Sequence, residues 1–250
     1  MRCFSHLIRH GQQSRLAAYF AATLLLVGLA FNGIGAARAQ GADWPGDAGE
    51  HYGVATPISQ AQADPNLKDL MAAGLLPEMT LGKPNALVTV VEYASLGCAL
   101  CRAFHKVTFP RFKQEYIDTG KVYFVFREFP IGKSSVAAAM ASRCVPDKRF
   151  FTIIRKFMNS TGRWNAREPN LNAIYKVVQE TGLSRSAFDT CMANQNIKDG
   201  VTQVKQRGRS FGVKGTPTFF INGKRVRGAL TFSDMKKLVD VRLVSARDPK

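Results

Sequence analysis

Cys98 and Cys101, separated by Ala99 and Leu100, are the residues best placed to do chemistry. Positions three apart share a helix face, so two sulfurs carried by one helix come within bonding reach. At a helix N-terminus, unpaired backbone N–H groups and the macrodipole favour an anion. Both effects lower the pKa of the first thiol and stabilise its thiolate. Arg102 adds a nearby positive charge, and Gly97 allows a tight turn just before Cys98. The chemistry this suggests is thiol–disulfide exchange, in which Cys98 attacks or leaves and Cys101 resolves the mixed disulfide. A structural disulfide or half of a zinc site would use the same spacing. Attachment of c-type haem is excluded, because Arg102 stands where that motif requires histidine. His105 lies one turn beyond Cys101, so Cys98, Cys101 and His105 would make a Zn or Cu ligand set. A single helical histidine more commonly packs or meets solvent, and no metal or other cofactor is expected.

The elements that must position this pair are legible around it. Residues 86–94 (ALVTVVEYA) are β-branched and almost continuously apolar, as in a strand buried on both faces. A helix over about 98–117 follows, ending at Gly120 and kinked at Pro110. Residues 121–129 (KVYFVFREF) read as a second buried strand, completing a βαβ unit with parallel strands. Residues 131–212 contain no good strand and read as successive helices, punctuated at Pro146-Asp147, Pro169-Asn170 and Gly182 with Ser184. Residues 216–221 return to β-structure, with Thr216-Pro217 at the start, where proline is tolerated. The Thr216–Pro217 bond is either cis or an ordinary trans turn. Asn222-Gly223 predicts a tight hairpin to residues 224–227, and Thr231 with Asp234 forms an approximate capping box for a last helix. Before all this, Asp64-Pro65 reads as a helix start, with a stop at Gly74 and a turn at 82–84.

The N-terminus reads as a targeting segment. Arg2, Arg9 and Arg15 precede an uncharged apolar run of sixteen residues, 16–31, and Ala37-Arg38-Ala39 supplies a cleavage site. Sixteen residues fall short of the roughly 18–20 that span a bilayer, so cleavage is expected, with an uncleaved membrane anchor as the alternative. Removing 1–39 takes away four arginines and no acid, which lowers the formal charge from +17 to +13. It also removes Cys3 and leaves four cysteines, an even number suited to an oxidising compartment. Four cysteines allow three pairings, and the expected second pair is Cys144 with Cys191, both in the helical block. That bond is read as structural, with a regulatory bond or two buried free thiols as alternatives. Apolar residues at 46% and charged residues at 21% exclude a disordered chain and a polytopic membrane protein. Residues 131–168 hold eight Lys or Arg against Asp147 and Glu168, which suits a solvated surface or a face for acidic partners. No nucleic-acid recognition motif accompanies the charge.

A CxxC on a helix after a strand, with a Thr-Pro strand start about 115 residues later, resembles the thioredoxin fold. The helical block between the two halves is similar to that of the DsbA-like periplasmic thiol–disulfide oxidoreductases. The resemblance covers about residues 75–246. It implies an α/β fold, a central mixed sheet with flanking helices and an inserted helical subdomain. The implied division is a signal peptide at 1–39, an extension with a short helix at 40–80, and a βαβ half at 81–130. A helical insertion at 131–212 and a ββα half at 213–250 complete it. The resemblance makes Cys98 the nucleophile, Cys101 the resolving thiol and Pro217 a cis proline. It makes Thr216 a backbone contact for substrate peptide. Glu92, six residues before Cys98, falls where many members keep an acid under the dithiol, and its implied role is proton transfer with Cys101. The alternative for Glu92 is a carboxylate paired with a basic neighbour. The best-known oxidase has Pro-His between its cysteines, whereas this chain has Ala99-Leu100, which predicts a less depressed thiolate pKa and a weaker oxidant.

The implied function is disulfide formation in reduced or unfolded exported proteins, with a membrane redox partner for recycling. Membrane contact is then limited to the signal segment or that partner. An isomerase or reductase of the same fold is the near alternative, although 40–80 is short for a dimerisation domain. A periplasmic metal-binding or chaperone module is the more distant one.

Overall fold

Two apolar strands lie side by side and parallel at the centre of a five-stranded sheet of order β1-β3-β2-β4-β5. The structure, a computed structural model, describes residues 63–247; the proposed signal segment and residues 40–62 lie outside the described residues. In chain order come α1 (Leu67–Leu70), β1 (Met79–Leu81), β2 (Val88–Ala94), a long helical segment α2 (99–117) and β3 (Val122–Glu128). The helical block is α3 (Lys133–Arg143), α4 (Phe150–Asn159), α5 (Thr161–Trp164), α6 (Leu171–Val178), α7 (Arg185–Met192) and α8 (Gln195–Ser210). The chain ends with β4 (Thr218–Ile221), β5 (Lys224–Arg227) and α9 (Phe232–Arg247).

Successive strand residues feed opposite faces, and here both faces are covered. Val88, Val90, Phe124, Phe126, Phe219 and Ile221 enter the larger core with α2, α4 and α9. Val91, Tyr93, Val125 and Phe220 enter a second core with Leu70, Phe129 and Val213. Their continuous apolar character follows from this double burial.

Four details differ from the sequence-based expectation. The cap of α1 is Asn66, whose side chain accepts from Asp69 N at 2.8 Å. Asp64 instead pairs with Lys224 at 3.1 Å and Arg225 at 3.7 Å. The sheet begins before residue 81, because β1 pairs antiparallel with β3, Met79 opposite Phe126. Segment α2 is not uniform: Phe104–Thr108 and Lys113–Ile117 wind as wider π turns around the α-helical Phe109–Phe112. Pro110 has no N–H to donate into the preceding turn, and the wider turn before it takes up that loss. Finally, Gly97 is needed for close approach, since a Cβ there would stand 2.6 Å from Ser135 Oγ and 2.9 Å from Asn165 Oδ1.

The punctuation elsewhere has physical partners. Asn222 and Gly223 take φ of 47° and 84°, as a type I′ hairpin turn requires. Thr231 and Asp234 cap α9 reciprocally, with Thr231 N donating to Asp234 Oδ2 at 3.0 Å and Asp234 N to Thr231 Oγ1 at 3.2 Å. Two buried arginines fasten the chain ahead of β1. Arg127 donates to both Glu78 oxygens at 2.6 and 3.2 Å and to Tyr93 Oη at 2.9 Å. Arg143 of α3 donates to both Glu128 oxygens at 2.5 and 2.7 Å and to Pro77 O at 2.7 Å. Cys144, the C-cap of α3, is bonded to Cys191 of α7, with Cα atoms 5.9 Å apart.

Candidate active site

Cys98 is the N-cap of α2, so its sulfur sits where the helix has N–H groups to offer an anion. It is half-buried, and Cys101 below it is fully buried. The two thiols are driven in opposite directions. The Cys98 pKa is lowered to about 5, first by the hydrogen bond from Cys101, then by the Thr216 side chain and the N–H groups of Cys101 and Leu100, against the cost of burial. Cys101 is pushed strongly up, first by burial, then by its hydrogen bond to Cys98 and the negative charges of Glu92 and Cys98. At neutral pH the pair therefore holds one thiolate and one thiol, with the thiolate on the accessible sulfur.

The loop before β4 closes over the pair. Thr216–Pro217 is a cis peptide bond, and Cys98 Sγ lies 3.3 Å from Thr216 O. Underneath, Glu92 on β2 is completely buried. Its Oε2 is 2.8 Å from His105 Nε2, and its Oε1 has no hydrogen-bond partner among the described residues. The helical block reaches the site through Arg102, which donates to Thr161 Oγ1, and through Asn165, whose Nδ2 is 3.4 Å from Gly97 O. Beside the thiolate Leu100 is 53% exposed, which offers apolar surface to an incoming chain.

The sequence profile of the family described as Thioredoxin matches residues 75–241. A Rickettsia conorii protein named as a protein-disulfide oxidoreductase is 32% identical over 178 residues, which are 68% of this chain and 63% of that one. A Bacillus cereus protein named as disulfide bond formation protein D is 30% identical over 174 residues, 66% of this chain and 79% of that one. Among solved structures, alpha-DsbA1 of Wolbachia pipientis superposes with a TM-score of 0.65 at 27% identity, covering 72% of this chain and 98% of that one. The chain belongs to the thioredoxin family, among the DsbA-like protein-disulfide oxidoreductases.

For a protein-disulfide oxidoreductase of this kind the positions singled out in the sequence fall into two groups. Cys98, Cys101, Glu92, Thr216 and Pro217 converge on one end of the sheet, whereas Cys144 and Cys191 lie together in the helical block. His105 does not turn toward the two sulfurs as a third ligand; its ring engages Glu92. Among the described residues no three His, Cys, Asp or Glu side chains converge on a metal position. The pairing of His105 with Glu92 was hidden in the sequence, because thirteen residues and a change of element separate them. Of the eight basic residues in 131–168, Lys133, Arg143 and Lys156 pair with Glu168, Glu128 and Glu180. Among the described residues no helix is long and apolar enough to cross a membrane.

The opposed pKa shifts give a pH signature. The Cys98 value in the folded, reduced protein, about 5, lies well below that of an ordinary thiol. Ionisation therefore stabilises the reduced form fully above the unfolded pKa, and this gain is lost as pH falls through about 5. Two results are expected. Alkylation of the reduced protein follows a profile with its midpoint near pH 5, and the Tm of the reduced form relative to the disulfide form falls as the pH is lowered toward that midpoint. A midpoint at the ordinary thiol value would contradict the geometry.

Proposed function

We propose that this thioredoxin-family protein introduces disulfide bonds into exported polypeptides, working in the periplasm after loss of an N-terminal signal peptide. The observation that carries the reading is the dithiol itself: an accessible, stabilised Cys98 thiolate above a buried Cys101 thiol. In the oxidised enzyme a substrate thiolate attacks Cys98 Sγ, the Cys98–Cys101 bond breaks, and Cys101 leaves with the electron pair and takes up a proton. The second substrate thiolate then attacks the substrate sulfur of the mixed disulfide. Cys98 departs as thiolate, and low leaving-group pKa speeds this step. Two electrons have now passed to the enzyme, and a membrane redox partner with its own disulfide takes them on. Glu92 is assigned the proton exchange with Cys101. Thr216 offers its backbone to the extended substrate chain, and cis Pro217 sets that backbone beside the sulfur.

A Cys98 pKa of about 5 lies between roughly 3.5 for the Pro-His oxidase and about 7 for thioredoxin. The expected reduction potential therefore lies between about −120 and about −270 mV. Equilibration of the mature protein with glutathione, with Cys144 and Cys191 intact, tests this. A value at the oxidising end or in the middle of that range supports a disulfide donor. A value at or below the thioredoxin end would assign a reductase instead.

The Cys144–Cys191 bond is assigned a structural role, fastening α3 to α7 across a sequence separation of 47. Replacing both cysteines with alanine is expected to lower stability by about 2–4 kcal/mol, read from the urea midpoint, while the Cys98 alkylation profile is unchanged. A shift of that profile without loss of stability would mark the bond as regulatory. Labelling of both cysteines without reductant would show that the bond is not formed.

A further inference from the structure

His105 is a buried titratable side chain that the exchange steps above do not use. It is 8% exposed, and its ring is held between Phe104, Phe109 and Phe126 at centroid distances of 5.4, 4.8 and 6.0 Å. One edge of the ring meets Glu92, with Nε2 2.8 Å from Oε2. The residue also lines a groove of about 490 Å³ between α2 and α4, with Phe109, Phe151, Lys113 and Arg155 among its walls. This groove is separate from the Cys98–Thr216 contact, which has none of its residues.

Exchange at this site needs a second outlet. Cys101 is 0% exposed, and its sulfur must gain or lose a proton in each half-cycle. A substrate joined to Cys98 covers the open side of the dithiol. The carboxyl of Glu92, close enough to push the Cys101 pKa up, has one oxygen without a hydrogen-bond partner among the described residues and the other on His105.

We propose that His105 carries the Cys101 proton between Glu92 and the water of this groove, and so keeps proton transfer open while substrate occupies the front of the site. The inference rests on the reading of Glu92 as the proton partner of Cys101. In the direction of disulfide formation, the Cys101 sulfur bonds to Cys98 and the other sulfur of the mixed disulfide leaves with the electron pair. The Cys101 proton passes to Glu92 Oε1, and the Glu92–His105 pair releases one proton to groove water. The opposite half-cycle returns it. The groups facing the ring are consistent with this traffic. Glu92 comes from β2, and the neighbouring β3 residue is the neutral Phe126. In the groove, Lys113 and Asp118 neutralise each other at 2.6 Å, and Arg155 of α4 is exposed. His105 is thus a positioning residue that acts through Glu92.

The test uses the reduced full chain mixed with excess oxidised glutathione. Attack by Cys98 forms a mixed disulfide in a concentration-dependent phase, and its resolution by Cys101 is a second, concentration-independent phase. The variant His105→Ala is expected to slow the second phase roughly tenfold or more, as loss of a general acid–base group does. Added imidazole is expected to enter the vacated ring site and restore the rate. The variant His105→Gln keeps a hydrogen bond to Glu92 but carries no exchangeable ring proton; it is expected to slow the same phase without responding to imidazole. A wild-type rate in His105→Ala, or slowing that imidazole does not relieve, overturns the proposal. Glu92→Gln separates the two levels. If it alone slows resolution, the Glu92 reading stands and the His105 proposal falls; if neither variant slows it, both fall.

Discussion

Replacing Cys101 with alanine is expected to turn the protein into a covalent trap. The Cys98 thiolate can still attack a disulfide, but the neighbouring sulfur that completes the exchange is gone. A positioned group competes with outside reagents through an effective molarity that reaches about 10⁵ M in favourable cases, so release should slow by roughly a thousandfold or more at ordinary thiol concentrations. Mixed adducts should then accumulate on non-reducing gels. The same variant removes the largest influence lowering the Cys98 pKa, the hydrogen bond from Cys101, so its alkylation midpoint should move up from about 5. The reciprocal variant, Cys98→Ala, leaves a thiol that is fully buried and whose pKa is raised, and it is expected to resist alkylation at neutral pH. Rapid alkylation of that variant would show that Cys101 is not shielded as described.

The second large effect concerns the bond between the sheet and the helical block. Glu128 and Arg143 have side chains only 1% and 7% exposed, joined by two hydrogen bonds. Removing Glu128 strips the buried Arg143 of its hydrogen-bonded carboxylate and leaves only the more distant charges of Glu78 and Asp147 to offset it. Glu128→Ala is therefore expected to cost about 3–5 kcal/mol, read from the urea midpoint. Replacing both residues with apolar ones of similar size should recover much of that loss, because it is the stranded charge that is costly. A loss below about 1 kcal/mol for Glu128→Ala would place the pair with exposed surface bridges. Arg143 also holds Pro77 O, so the single variant should loosen the approach to β1 as well.

Local chemistry made much of the fold legible. The β-branched run around Val90, the valine and aromatic run around Phe124, the Asn222-Gly223 turn and the Thr231–Asp234 cap each state their structure within a few residues. What was not legible depends on partners distant in sequence. A three-residue strand such as Met79–Leu81 has too little pattern to announce itself and exists because β3 offers an open edge. Asp64 had the right residue type for a cap, but Lys224 and Arg225 engage it across the fold. At the candidate site, the CxxC spacing pointed to its chemistry without help. The interior of the site did not, because Glu92 and His105 are brought together only by packing of α2 on β2. In α2 the sequence signals an irregularity at Pro110 but not its form, since nothing in residues 104–108 tells a wider turn from a kink.

Among the described residues the sheet ends at β1 and β5, and such margins matter for any protein that meets extended foreign backbone. An unpaired strand margin is a template on which foreign backbone can stack and seed insoluble aggregates. Here one margin is only three residues long, and the other reads Lys224-Arg225-Val226-Arg227, with three cations in four positions. Short length on one side, and on the other a charged strand whose Lys224 and Arg225 are already engaged by Asp64, leave foreign backbone few places to zip on. Neither margin then offers the long, flat template from which a precipitate could grow.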